Sequence, residues 1–182
     1  MENLRLSWDL FIIVFFGIVI TYSFIIGRNQ TIKLIIATYM AILTADGLGN
    51  IFNTYLLPAA PALQGETGEQ TSVLLKIFVF VVVIVLLAIK GGFRIDMLPE
   101  QNLLVRILSN LSFGFLSAGL MVSTLLVYLT GGSFIEGALT AANTNIYLES
   151  QAVQVLIDNY SIWFAIPAVS IVIISFFEPT EG

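Results

Sequence analysis

The sequence predicts an all-α fold, a polytopic helical bundle integral to a membrane. Three observations point there. The chain is 58% hydrophobic and only 10% charged, whereas a soluble domain carries about 25% charged residues. Its mean hydropathy is +0.97. Its apolar residues also fall into long runs, and about 20 such residues cross a hydrocarbon core as a helix. A chain of 182 residues has room for one domain, spanning 1–182, with four spans and a predicted fifth.

The first span covers about 8–26. Trp8 is a typical interfacial anchor, and Asp9 beside it reads as a cap for the helix start, with pairing to Lys76 as the alternative. The run is too long for a signal-peptide core and has no Ala-x-Ala near its end, so it reads as a retained span. Gly27-Arg28-Asn29-Gln30 closes it. The second span covers about 31–57 and stops at Pro58-Ala59-Ala60-Pro61. The third covers 71–90, with its most apolar stretch over 77–87, and ends at Lys90-Gly91-Gly92. The fourth covers 104–129 and ends at Gly131-Gly132.

An outer loop over 131–160 follows. Ile146, Val153, Leu156, Ile157 and Tyr160 recur in it at helical spacing, with Glu149, Gln151, Gln154 and Asp158 between them. That pattern predicts an amphipathic helix lying on the membrane or against the bundle. A cap over the bundle is the simpler reading; a docking helix for a protein partner is the other. The stretch over 161–177 is apolar but short and contains Pro167, which removes one backbone hydrogen bond and can kink a span. A fifth span is predicted there, with a re-entrant or interfacial segment as the alternative.

Orientation follows Lys and Arg rather than the net charge of −5. Arg28 and Lys33 flank the first loop; Lys90, Arg94 and Arg106 flank the third. The second loop carries Glu66 and Glu69 and the fourth carries no cation. Loops 27–33 and 90–106 are therefore expected in the cytoplasm and the N-terminus outside, against the single dissent of Arg5. A spanning fifth helix puts Glu178 and Glu181 inside. A bacterial inner (plasma) membrane is the expected location.

Cysteine and histidine are both absent. Thiol chemistry, imidazole catalysis, haem ligation by these residues and the usual zinc sites go with them. No Gly-rich phosphate loop, paired-carboxylate site or nucleophile elbow is present. The expectation is a protein that is not an enzyme and carries no cofactor or metal. Without a polybasic cluster, nucleic-acid binding has no electrostatic basis. The expected partner is the lipid bilayer, with a homo-oligomer or a protein docked on the 131–160 loop as further possibilities.

The candidate intramembrane site is Asp46, in the run Leu43-Thr44-Ala45-Asp46-Gly47-Leu48-Gly49-Asn50. A carboxylate at bilayer depth costs roughly 2.5–3.5 kcal/mol on insertion scales. Tyr39, Asp46, Asn50 and Asn53 share a helix face, at spacings of seven, four and three. Two readings fit. In one, Asp46 locks the bundle to a neighbouring helix; in the other, the stripe lines a polar path and Asp46 binds a proton or cation. With the third helix starting at 71, Lys76 lies about 9 Å too shallow to meet Asp46, by rise per residue. Snorkelling of Lys76 to the outer interface is the expectation. On the fourth span Asn110, Gly114, Ser117 and Ala118 form a candidate helix-packing face, with Gly114 and Ala118 at small-xxx-small spacing.

Trp8-Asp9 opening the first span, a very short Gly27-Arg28 turn, a basic third loop, and Arg106 leading into Phe113-Gly114 resemble the colicin V production protein family. The resemblance covers about Trp8 to Leu129. It implies a small bacterial inner-membrane protein, acting as a scaffold or accessory in envelope homeostasis or peptide export, with no assigned catalytic residue. A small oligomeric channel or transporter with a polar path at Asp46 is a competing expectation, and an integral subunit of a larger membrane complex is a third.

Overall fold

The structure, a computed structural model, describes residues 7–60, 66–90, 103–134 and 145–176. Arg5, Arg94, the Gly91-Gly92 terminator and the acidic tail with Glu178 and Glu181 lie outside these residues. The elements are α1 (Trp8–Ile26), α2 (Arg28–Ala59), α3 (Glu66–Lys90), α4 (Leu103–Leu129), α5 (Asn145–Glu149), α6 (Gln151–Asp158) and α7 (Tyr160–Ser175). No strand occurs among the described residues. α1 to α4 are each long and apolar enough to cross a membrane, and α6 with α7 reach that standard together as a pair bent by 59°.

Gly27 alone joins α1 to α2. Its φ of 79° is a backbone region that favours glycine. Its amide closes α1 on the Ser23 carbonyl at 2.9 Å, and its carbonyl opens α2 by accepting from Thr31 N at 3.0 Å. The second helix therefore begins at Arg28, three residues before the expected start. A buried polar knot holds the turn: Ser23 Oγ and Thr31 Oγ1 share a hydrogen bond of 2.7 Å, and Ser23 donates to the Asn110 carbonyl of α4 at 3.2 Å.

α2 ends at Ala59, inside the expected Pro58-Ala59-Ala60-Pro61 stop, with Pro58 itself carried in its last turn. The helix widens into a π-turn over Phe52–Leu56 and resumes over Leu57–Ala59. Proline lacks an N–H and its ring clashes with the carbonyl four residues back. A π-turn immediately before it opens the ladder, with Leu57 N–H reaching back to the Phe52 carbonyl.

α4 is the central helix. Of its most apolar stretch 72% is buried, against 11% for α1. Small residues allow this on two faces. A Cβ on Gly114 would lie 2.9 Å from Ser23 Cβ of α1, and one on Gly119 would lie 2.0 Å from the Trp163 ring of α7. α2 packs along α3 and α4 through Ile35, Ala41, Ile42 and Ala45, with Phe80 in the same core.

The expected amphipathic helix is two helices, because Ser150 interrupts it. Ser150 is the N-cap of α6 and its Oγ accepts from Val153 N at 3.1 Å. Residues 135–144 lie outside the described residues. α6 turns Val153, Leu156 and Ile157 into a core with Ile12, Val122 and Leu126, so it sits against the bundle rather than on the membrane surface. Ser123 on α4 donates to the Leu156 carbonyl at 3.2 Å. That places the end of α6 about 9 Å below the end of α4, by rise per residue. Tyr147 on α5 donates to both Asp158 oxygens at 3.0 and 3.2 Å, which holds its hydroxyl pKa above the usual tyrosine value. Tyr160, read as part of the amphipathic segment, starts α7 instead. α7 runs from Tyr160, beside Phe134, down to the level of Tyr39 at Phe164 and Ala168, and Ile171 and Ile174 pack against the core that holds Ile35, Ile42 and Phe80.

Asp9 does not cap its own helix. Its Oδ1 accepts from Ser150 Oγ at 2.6 Å and from Ala152 N at 3.2 Å. The start of α1 thus caps the start of α6, because α6 dives beside α1 and presents free amides there.

Candidate functional site

Asp46 and Lys76 form a buried ion pair, with Asp46 1% and Lys76 7% exposed. Lys76 Nζ lies 3.7 Å from Asp46 Oδ1. This corrects the expectation that Lys76 snorkels away, and two features explain it. First, α3 starts at Glu66 rather than 71, which sinks Lys76 about 7.5 Å deeper, by 1.5 Å per residue. Second, Gly49 clears a groove on α2. A Cβ there would meet Lys76 Cε at 2.6 Å and Cγ at 2.8 Å. The lysine stem lies across that bare backbone and delivers its ammonium to Asp46 one turn below.

The remaining partners come from the end of α4. Gly131, at φ 76°, turns the chain back in a Schellman closure: its amide bonds the Tyr128 carbonyl and the Gly132 amide bonds the Val127 carbonyl, each at 2.9 Å. The returning backbone meets the ion pair. Phe134 N–H donates to Asp46 Oδ2 at 2.8 Å, and Lys76 Nζ donates to the Gly132 carbonyl at 3.4 Å. The ammonium also lies 5.9 Å from the centre of the Tyr128 ring. That fully buried tyrosine donates to the Ile42 carbonyl at 3.2 Å, with its hydroxyl close to Asp46.

Tyr39, one face-repeat below Asp46, forms a second polar post. Its hydroxyl donates to the Phe164 carbonyl and accepts from Ala168 N at 3.1 Å. Those are the two groups an α-helix joins to each other. Pro167, between them in sequence, cannot donate to the ladder. Tyr39 therefore inserts into α7 where the proline weakens it. Between the posts lie aromatic rings: Phe164 is 5.1 Å from Tyr39 and stacks on Phe134 at 5.3 Å, and Phe134 meets Tyr128 at 6.0 Å.

Asn50 and Asn53 do not join this cluster. Both are half-buried, and Asn50 Oδ1 accepts from Thr54 Oγ1 at 3.1 Å. Asn53 falls in the π-turn, whose wider winding takes it out of the register that a uniform helix predicts. On α4, Asn110, Gly114, Ser117 and Ala118 are all buried. Asn110 and Gly114 meet Ser23 of α1, and Ala118 shares a core with Val19, Leu34 and Met121.

Sequence reasoning set Lys76 aside on depth and missed Tyr128, Gly132 and Phe134. Two signals for them were present. Glu66 and Glu69 are acidic residues suited to a helix's first turn, which argues for an early start to α3. Gly131-Gly132 marks a chain reversal as well as a helix end.

The cluster carries two opposite charges in a low-dielectric interior, held by backbone groups. Among the described residues no group of three Asp, Glu, His or Cys could hold a metal. No family model, curated protein or solved structure matches the chain.

Proposed function

We propose that the chain is a non-enzymatic membrane scaffold, an accessory in envelope homeostasis or export of the kind its colicin V production-like features imply. The observation that carries this reading is the engagement of the intramembrane charges. Asp46 faces Lys76 and a backbone amide, and Lys76 also faces a backbone carbonyl. Aromatic rings fill the space between this pair and Tyr39. A stripe built this way ties α2, α3 and the α4 turn together; a conducting path needs polar groups turned to water. Reconstitution into liposomes tests it. Proton and potassium flux should equal that of protein-free vesicles, for the parent and for Asp46→Asn alike. Flux by the parent that Asp46→Asn abolishes would replace the scaffold with a channel or transporter.

The same proposal places the protein in a bacterial plasma membrane with the Gly27 end in the cytoplasm. Its support is the segregation of charge. Arg28, Lys33, Lys90 and Arg106 all lie toward that end, where Arg28 and Arg106 are near enough to repel each other. Lys76 is the exception among the described cations, and it is ion-paired inside.

A further inference from the structure

A cavity of about 400 Å³ opens between α1 and α3 in the half of the bundle nearer Asp9. Trp8 and Phe11 of α1 form one wall and Ile77 of α3 the other, while Val122, Leu126 and Leu129 of α4 form the floor. The groove exists because α1 and α3 stand on separate cores. Trp8 and Leu129 pack with the core of Ile12 and Leu126, whereas Ile77 packs with the core of Ile42 and Phe80. The seam between them stays open above α4. Its depth follows from helix lengths. α1 has 19 residues, about 28 Å at 1.5 Å per residue, close to the roughly 30 Å of a hydrocarbon core. Trp8, its first residue, therefore stands at the boundary, where tryptophan is a typical anchor. Leu129 to Val122 covers about 10 Å of α4. The groove thus starts at the interface and lies at hydrocarbon depth.

The lining is apolar from the boundary inward. Ser7 and Trp8 carry its polar groups, a hydroxyl and an indole N–H, and both residues stand at the mouth. Water finds too few partners in such a place; apolar cavities stay dry and take hydrocarbon-like ligands. Left empty, the lining forfeits dispersion contacts. Phe11 is exposed and Leu125 and Leu129 are half-buried, so the groove is reached from the side, where the lipid lies. Shape narrows the occupant further. An α-helix with its side chains is about 10–12 Å across, so a 10 Å length of it needs about 800 Å³ or more. That is more than the groove holds, and a partner helix rests across the mouth without entering. A polymethylene chain is thin enough to enter, and it is the hydrocarbon that a bilayer supplies at this depth.

We propose that this groove holds an acyl chain of a phospholipid from the leaflet at the Asp9 end. The ester region of the lipid sits at Ser7 and Trp8, and the chain lies along Leu129, Leu125 and Val122 between Phe11 and Ile77. The proposal needs only the membrane embedding of the bundle and stands apart from the scaffold reading: it holds whether or not the protein conducts ions.

The test uses the full chain in vesicles of phosphatidylethanolamine and phosphatidylglycerol, doped with phosphatidylcholine that carries a diazirine in the first half of one acyl chain. Adducts are located by peptide mass spectrometry after illumination. Ile13 and Ile18, exposed on α1, report ordinary contact with surrounding lipid. Adducts are expected there and also on Leu125 and Leu129 of α4. Leu125→Trp fills the groove from a half-buried position, so the α4 adducts should be lost while those on Ile13 and Ile18 persist. Ser7→Trp blocks the mouth from an exposed position and carries the test alone if Leu125→Trp misfolds. Absence of α4 adducts in the parent, or α4 adducts unchanged in a folded blocking variant, overturns the proposal. Labelling of α4 that appears only when the protein is diluted further in lipid also overturns it, since a second copy would then cover the groove. So does labelling that appears only after residues 1–6 are deleted, since the chain's own start would then fill it.

Discussion

Asp46 has an energetic role that follows from its partners. Removing one member of a buried pair leaves the other charge desolvated and unpaired, at a cost of about 3–5 kcal/mol. Removing both and filling the space with apolar atoms is often neutral or stabilising. Asp46→Leu and Lys76→Met are therefore each expected to destabilise by about 3–5 kcal/mol, while the double variant regains most of that loss. Chemical unfolding in micelles measures all three. Additive losses in the double variant would show that the two side chains act independently. The identity of the pair was half legible. A carboxylate in a span demands a partner, so Asp46 stands out in the sequence. Lys76 was visible as a counter-charge but was placed too shallow, because the register between α2 and α3 depends on where α3 starts and on a groove at Gly49.

Elements meet in this bundle where side chains are missing as much as where they are large. Gly119 is the sharpest case. Trp163 rests on it so closely that any Cβ there must displace the indole. Trp163 also packs edge-to-face on Phe16 at 6.1 Å and against Phe115 at 5.4 Å, so its retreat is hindered on two sides. Gly119→Ala should cost about 1–3 kcal/mol, the usual range for overpacking. Adding Trp163→Leu should recover part of it, since the smaller side chain leaves room. Thermal unfolding of the two variants reads this coupling; a Gly119→Ala chain as stable as the parent would mean that α7 does not seat here. A small-residue face at Asn110, Gly114, Ser117 and Ala118 of α4 was legible in the sequence; Gly119 was not part of it. Which neighbour fills each notch was not legible, because spacing along one helix says nothing about what lies opposite.

At the scale of the whole molecule, helix lengths and charges set how the bundle sits. The 32 residues of α2 reach about 48 Å, well beyond a hydrocarbon core of about 30 Å, so its π-turn end emerges or the helix tilts. α6 and α7 reach the length and apolarity of a span only together, as a pair bent by 59°. The orientation is testable in a chain without native cysteine. Gln151→Cys and Gln30→Cys place single thiols at exposed positions near opposite ends. In intact spheroplasts an impermeant maleimide should label the first variant and reach the second only after permeabilisation. The reverse pattern would put the cation-bearing end outside.

The sequence by itself determined the class, the four long helices, the amphipathic character before the last one, and the gathering of Lys and Arg at alternate loops. These are properties of local composition and period, which any segment carries without its neighbours. Only the tertiary structure decided that Lys76 meets Asp46, that Asp9 caps a helix 141 residues away, and that Tyr39 enters α7 beside Pro167. Each of those depends on the height and rotation of two helices relative to one another. That relation is set by close packing at glycines, by a one-residue hinge and by a π-turn, and no periodicity within a single helix encodes it.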